Sequence, residues 1–356
     1  MNKLRHVSID GRDIGSDNPP YICAEISANH NGKLDNALEL IRQAKLAGAD
    51  AVKIQTYRPD TITLRSSNPE FQITQGLWAG RTLYDLYEEA HLPWEWHAEL
   101  FRYAREQQIT LFSSPFDHTA VDLLEELGTP AYKIASFEIV DTELIRYAAR
   151  TQKPIIISTG LASPDDIARA VEAAQDEGND QIIVLHCVSA YPAKPSDYNL
   201  RTLTDKQERF QTLVGLSDHT ISNTTAVASV AMGAVFIEKH FTLDRSGGGP
   251  DDSFSLEPDD LRGLVNETQA AWEAMGSVDY GLKSGEKENQ QFRRSLYFIN
   301  DLSAGSVITK DDIQSVRPGN GLPAYEFSNV IGKKLARDAV KHTPVETSHI
   351  ERSTRF

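Results

Sequence analysis

Short apolar runs rich in β-branched and aromatic residues recur along most of the chain. They occupy residues 21–27 (YICAEIS), 51–57 (AVKIQTY), 109–116 (ITLFSSPF), 132–138 (YKIASFE), 154–160 (PIIISTG), 181–189 (QIIVLHCVS), 213–219 (LVGLSDH) and 235–241 (VFIEKHF). Their starts are nearly continuous in apolar residues, the pattern of strands buried on both faces of a parallel sheet. Helical spacing fills the intervals. Leu34, Leu38, Ile41 and Lys45 repeat at helical spacing before Gly48, which suits a helix end. Ser163 and Pro164 open another helix as cap and first turn, with Asp165 and Asp166 at its positive end. The run TAVDLLEELG has the same form. Eight strands alternating with helices predict an α/β fold, a (β/α)8 TIM barrel. An open doubly wound sheet is the alternative, disfavoured because no G-x-G-x-x-G follows the first strand.

The interval between the second and third strands is long. It reads as an inserted loop followed by helix, and such insertions are often functional lids. Past residue 280 the pattern changes. GLKSGEKENQQFRR is polar and reads as a linker over 281–292. Short strand signals broken by Gly, Pro and Asn then predict a small mixed domain over 293–356, so the barrel domain is assigned to 1–280.

Composition narrows the function classes. With 40% hydrophobic and 24% charged residues the chain reads as soluble and globular. No apolar run approaches the roughly 18 residues of a membrane span, and MNKLRHVSIDGRDIG has no signal-peptide core. Cys23 and Cys187 both lie in apolar strand runs, which fits a reduced, cytoplasmic protein without a disulfide framework. A net charge of −15 argues against nucleic-acid binding. A small anionic substrate stays open, because a local cluster of lysines overrides the global sign.

In a barrel of this kind, chemistry sits at the C-terminal strand ends. Polar residues crowd those ends: Glu25, Ser27, Asn29 and His30; Lys53 and Gln55; Ser113 and Ser114; Lys133, Ser136 and Glu138; Ser158 and Thr159; His186, Ser189 and Tyr191; Ser217, Asp218 and His219; Glu238, Lys239 and His240. Lysine inside a strand is costly to bury without an anion, so several converging on one mouth point to a bound phosphate or carboxylate. His219 and His240 come from neighbouring strands, about 5 Å apart at the backbone. Two imidazoles with free positions suit an open catalytic divalent-metal site. Glu25 or Glu238 is placed to supply an oxygen ligand or to hold a tautomer. Singly, each histidine also reads as a hydrogen-bonded core residue and each lysine as a rim ion pair. Their joint placement at one barrel end favours a site.

The stretches AEISANHNG, AVKIQTY, YKIASFE, IISTG, LHCVSAYP, GLSDHT, EKHFTLD and GPDDSFSLEP, with RRSLYF and VRPGNG near the C-terminus, together resemble the sialic acid synthases, in order and spacing, over nearly the whole chain. Members of that family condense phosphoenolpyruvate with an amino sugar to give nine-carbon keto acids. The resemblance implies a C-terminal antifreeze-like (SAF) cap. Details lean toward the pseudaminic branch. EISANHNG stands where the commoner pattern has EAGVNHNG, Ser189 where it has asparagine, and Asp252 where it has histidine. These departures favour a 2,4-diacetamido-trideoxy hexose over N-acetylmannosamine.

The resemblance further implies that Lys53, Lys133, Ser136, Ser189 and Ser217 hold the phosphate and carboxylate of phosphoenolpyruvate, with Ser158 and Asp252 also in contact with substrate. His219 and His240 would bind Mn²⁺, with Mg²⁺ or Co²⁺ as alternatives. Glu25 would face the sugar or the metal, and Tyr191 and Phe292 would line the site. Arg317 would reach over a neighbouring subunit's barrel in a cap-swapped homodimer. Glu138 is the candidate base for the attacking water, with Glu25 second. A Schiff-base aldolase using Lys133 or Lys53 is the rival chemistry.

Overall fold

The computed structural model describes residues 6–351. A hairpin of β1 (Val7–Ile9) and β2 (Arg12–Ile14) comes first. Its two-residue turn has Asp10 at φ 51° and Gly11 at φ 81°. Both angles are positive, as a tight hairpin turn matching strand twist requires. Eight parallel strands follow among the described residues: β3 (Tyr21–Glu25), β4 (Ala51–Thr56), β5 (Thr110–Pro115), β6 (Tyr132–Ile134), β7 (Ile155–Ser158), β8 (Ile182–Cys187), β9 (Leu213–Asp218) and β10 (Phe236–His240). Each pairs with the next, and β10 returns to β3, closing the expected TIM barrel.

Side-chain alternation divides every strand between two environments. One set of positions, including Ile22, Val52, Leu111, Ile134, Ile157, Val184, Leu216 and Ile237, packs with helix residues such as Leu40, Leu100, Leu144 and Ile167. The other set includes Tyr21, Cys23, Ala51, Phe112, Ile156, Leu185 and Phe236, which share a core with Val7, Ile9 and Ile14 of the hairpin. The hairpin therefore closes one end of the barrel interior with apolar side chains. Gly215 belongs to this inner layer. A Cβ there would stand 2.4 Å from the Phe236 carbonyl, so only glycine lets β9 and β10 approach.

The helices form where the apolar spacing places them. Leu34–Ala47 ends at Gly48 in the left-handed region, φ 93°. Pro164–Asp176 opens on a capping box in which Ser163 and Asp166 exchange bonds. One expected strand is shorter than its apolar run. β6 stops at Ile134, and Ser136–Val140 winds into a 3-10 turn. Lys133 and Ser136 are thus on different elements.

The chain divides into two compact units at Gly276 and Ser277. In the second, β11 (Ser295–Phe298) pairs antiparallel with β12 (Ile313–Val316). Leu296, Phe298, Ile308, Ile313, Val330, Leu335 and Val345 form its own core. Residues Ser284–Phe292, expected as linker, form an exposed 3-10 helix. Its polar composition reflects that exposure.

Candidate active site

Alternation selects which polar strand-end residues share the barrel interior. Glu25, Lys53, Lys133, Ser158, Ser217, Glu238 and His240 continue the inward-facing rows above the apolar layer. Lys53 Nζ lies 2.7 Å from Glu25 Oε2 and 3.4 Å from Glu238 Oε1. Lys133 Nζ donates to both oxygens of Glu238, at 2.8 and 3.0 Å. The two lysines are 3% and 2% exposed. Two ammonium and two carboxylate groups thus form one nearly dry, charge-balanced cluster. Ser114 Oγ lies 3.3 Å from Lys53 Nζ, and Ser217 donates to Glu238 at 3.5 Å.

Burial opposes the charge on every member, and the partners decide the outcome. For Glu238, Lys133 and Lys53 outweigh burial and hold the carboxyl at about 2. Burial pushes the Glu25 carboxyl up, and the nearby Glu238 charge adds to this. Burial lowers Lys133, with help from the Lys53 charge. Lys53 has both carboxylates beside it and moves up despite its burial.

The histidines stand above this cluster. The rings of His219, just past β9, and His240, the last residue of β10, have centroids 5.4 Å apart. His219 Nδ1 is 2.8 Å from the Val188 carbonyl, which places a proton on Nδ1. Cys187 beside it moves the imidazole up despite burial, and Nε2 offers a lone pair only in the neutral ring. His240 Nδ1 is buried without a hydrogen-bond partner. Burial and the neighbouring His219 keep His240 neutral, well below the ordinary imidazole range. Tyr191 packs on both rings, with centroids at 4.4 and 6.1 Å. Glu25 and Glu238, expected as possible metal ligands, are taken up by the lysines instead. Among the described residues no group of three or more His, Cys, Asp or Glu side chains is arranged to hold a metal.

Beside the histidines opens a cavity of about 370 Å³. Its polar wall carries Ser27, Gln55, Ser136, Glu138 and Asp251, and its apolar wall includes Tyr57, Leu86 and Phe116. Trp78, from the inserted segment, also lines it and donates Nε1 to the Pro250 carbonyl at 3.1 Å. Burial raises the Glu138 carboxyl to about 7, with Asp141 adding to this and Lys133 and Lys53 opposing. Ser136, Ser189 and Gly160 crowd together at the barrel mouth. A Cβ at Gly160 would stand 2.0 Å from Ser189 Oγ and 2.8 Å from Ser136 Oγ, and Ser136 Oγ accepts the Gly160 N–H at 3.0 Å. The buried Ser158 hydroxyl has no partner. Serine hydroxyls beside two lysines are the donor set an anion requires.

Several expected residues lie elsewhere. Lys239 and Asp218 point to the outer side of the barrel, where Nζ and Oδ2 pair at 2.8 Å and the ammonium also holds the Thr220 and Ser222 carbonyls. His186 and Ser113 face outward too, Ser113 bonding Thr56. Asn29 ties the loop after β3 to the Phe241 carbonyl at 2.8 Å. Asp252, expected to touch substrate, uses both oxygens to hold its own loop, accepting from Thr242, Asn31 and Gly249. Its neighbour Asp251 faces the cavity instead, 2.5 Å from Ser27 Oγ and 3.9 Å from His240 Nδ1. Phe292 and Arg317 belong to the C-terminal unit, where both are exposed. Asp251, Trp78 and Gly160 are the site residues that pattern reading missed.

A family model described as the NeuB family matches residues 40–280, and one for the SAF domain matches 293–351. A pseudaminic acid synthase of Helicobacter pylori is 42% identical over 336 residues, covering 94% of this chain and 99% of its own. One of Campylobacter jejuni is 41% identical over 326 residues, covering 92% and 95%. Among solved structures, an N-acetylneuraminic acid synthetase of Leptospira borgpetersenii superposes with a TM-score of 0.72 at 31% identity, covering 80% of this chain and 95% of that one. No helix among the described residues is long and apolar enough to cross a membrane.

Proposed function

From the premise that this chain belongs to the NeuB family, the sialic acid synthases, and carries a SAF domain, we propose that it condenses phosphoenolpyruvate with 2,4-diacetamido-2,4,6-trideoxy-L-altrose and water, giving pseudaminic acid and phosphate. The observation that carries the reading is the buried cluster of Lys53, Lys133, Glu25 and Glu238 below two histidines and beside a cavity of about 370 Å³. The names of the 41–42% identical relatives support the choice of sugar.

Lys53 and Lys133, with Ser136, Ser158, Ser189 and Ser217, hold the phosphate and carboxylate of phosphoenolpyruvate. A bound anion favours the charged form of both ammonium groups and competes with Glu25 and Glu238 for them. Tyr191, Asp251 and the apolar wall orient the open-chain sugar. Carbon 3 of phosphoenolpyruvate bonds to the aldehyde carbon, and water adds at carbon 2. Glu138, ionised, takes one proton of that water while the former aldehyde oxygen gains one, and the second water proton departs with the phosphate. The resulting adduct expels phosphate by breaking the carbon–oxygen bond. The lysines neutralise the leaving phosphate.

We read His219 and His240 as two protein donors for a divalent ion, Mn²⁺ first, with Mg²⁺ or Co²⁺ as alternatives, the remaining positions being open to substrate and water. His219, in its neutral form with the proton on Nδ1, would present Nε2, and the buried His240 Nδ1 has no hydrogen-bond partner among the described residues. Such an ion would polarise the aldehyde oxygen as a Lewis acid. The reading extends to a cytoplasmic homodimer, and sedimentation equilibrium tests the dimer.

The decisive experiment incubates purified protein with phosphoenolpyruvate, Mn²⁺ and a panel of N-acylated amino sugars, following phosphate release. The 2,4-diacetamido-trideoxy-altrose is expected to give a far higher kcat/KM than N-acetylmannosamine or the legionaminate precursor. A preference for either of those reassigns the substrate within the family. Borohydride trapping of a pyruvate adduct on Lys133 would instead support the Schiff-base reading.

A further inference from the structure

Lys206 lies in the helix Thr202–Phe210, on the outer side of the barrel, yet is 5% exposed. It continues the apolar stripe of Leu203 and Phe210, where a leucine or methionine would pack at no electrostatic cost. No carboxylate lies within ion-pair distance of its ammonium among the described residues. Instead Nζ donates to Thr159 Oγ1 and lies 3.0 Å from His186 Nδ1.

These contacts fix a chain of donors. An ammonium only donates, so His186 Nδ1 accepts and the ring proton sits on Nε2. That proton is given to the Tyr198 carbonyl. Burial and the Lys206 charge lower His186 to about 4, so the ring stays neutral. Thr159 Oγ1, accepting from Lys206, donates to the Leu185 carbonyl at 2.9 Å. The Tyr198 hydroxyl accepts the His219 N–H at 2.7 Å and lies 3.4 Å from the Ser217 carbonyl.

The network thus spans the ends of β7, β8 and β9 from behind. Each anchored residue is a chain neighbour of an inward-facing one, or is itself at the site: Thr159 lies between Ser158 and Gly160, His186 precedes Cys187 and Ser189, Ser217 is on β9 and His219 just past it. The inner face has no slack, since a Cβ at Gly160 would stand 2.0 Å from Ser189 Oγ. A shift of one strand end would therefore misplace the serine hydroxyls. We propose that Lys206, through Thr159 and His186, is a positioning residue that sets the spacing of the serine cradle for the anionic substrate.

The inference rests on the proposed use of phosphoenolpyruvate. Lys206→Met keeps the length and burial of the side chain and removes the donors, and Thr159→Val removes the accepting hydroxyl while Thr159→Ser keeps it. Steady-state kinetics should show KM for phosphoenolpyruvate raised roughly 10-fold in Lys206→Met and Thr159→Val, KM for the sugar nearly unchanged, and Thr159→Ser near wild type. Thermal unfolding should place Lys206→Met at or above wild-type Tm, since a buried charge is gone, which separates positioning from loss of fold. In the full-length protein, ¹⁵N spectra of His186 should report one tautomer in wild type and a mixture in Lys206→Met. Active wild type with unchanged KM in both variants overturns the inference alone. Wild type that neither binds nor turns over phosphoenolpyruvate overturns the functional reading and this inference with it.

Discussion

Lys133 on β6 and Glu238 on β10 meet across the full width of the barrel, Nζ 2.8 Å from Oε1, although their strands stand opposite in the ring. No neighbouring-strand contact brings them together; the barrel's closure does. Their pairing makes the interior charge cluster a single unit, and removing one member leaves another uncompensated.

Glu238→Gln should therefore cost about 3–5 kcal/mol in urea unfolding near neutral pH, the usual result of stranding a buried charge. The pH dependence has a defined sign. Glu238 titrates at about 2 in the folded chain, below the ordinary 4.5. A depressed carboxyl contributes stability above its unfolded value, and this is lost as pH falls through the folded one. The stability gap between wild type and Glu238→Gln should be widest above pH 4.5 and should narrow toward pH 2. A gap that stays constant across that window would show that Glu238 is not held ionised by the lysines.

Under the proposed mechanism, Glu138 should carry the pH dependence of the rate. Burial lifts its carboxyl to about 7, so it is mostly protonated below that pH and ionised above. A base must be ionised, so kcat/KM should rise through pH 7 and level off above. Glu138→Gln should lower kcat by roughly 10²–10⁴ and remove that acidic limb. A variant that keeps the limb would reassign the base, with Glu25 next.

Much of this was legible in the chain. The eight apolar runs marked the strands, because strands buried on both faces need continuous apolar sequence. The polar strand ends marked the mouth. Strict alternation applied to Glu238, Lys239 and His240 would also have separated Glu238 and His240 from Lys239, which faces outward. The hairpin β1–β2 had a sequence signal too, the Asp10–Gly11 pair between Ile9 and Arg12, of the kind that favours two-residue turns. What pattern could not give was the choice between Asp251 and Asp252. Both sit in an irregular loop without a period, and which carboxylate turns inward depends on Asn31, Gly249 and Thr242, all brought together only by the fold. Trp78 was hidden for the same reason, inside an insertion that forms no regular element at that point.

The outer pair of Lys239 and Asp218 gives a control for the inner lysines. Lys53→Met should raise KM for phosphoenolpyruvate sharply, since the side chain lies beside both carboxylates at the mouth. The paired replacement Asp218→Leu with Lys239→Met removes a buried ion pair as a unit but leaves the Thr220 backbone groups without their partners, and is expected to cost about 1–3 kcal/mol. Its KM should stay close to wild type, although Lys239 adjoins His240 in sequence. A KM change as large as that of Lys53→Met would mean that the outer pair transmits to the site.

His219 and His240 make the metal assignment testable without turnover. Protein stripped with chelator should gain Tm on addition of Mn²⁺, by the amount that binding to the folded state alone confers. His240→Ala should abolish the gain, because the remaining imidazole cannot hold the ion alone. His219→Ala should do the same while leaving the urea midpoint of the metal-free protein within a small shift of wild type. Metal content after dialysis, measured by elemental analysis, should fall from one ion per chain to a trace in either variant. If the stripped protein shows no Mn²⁺-dependent Tm shift and retains full turnover, the histidines are core residues packed by Tyr191. The lysine cluster would then have to support the chemistry without a Lewis acid.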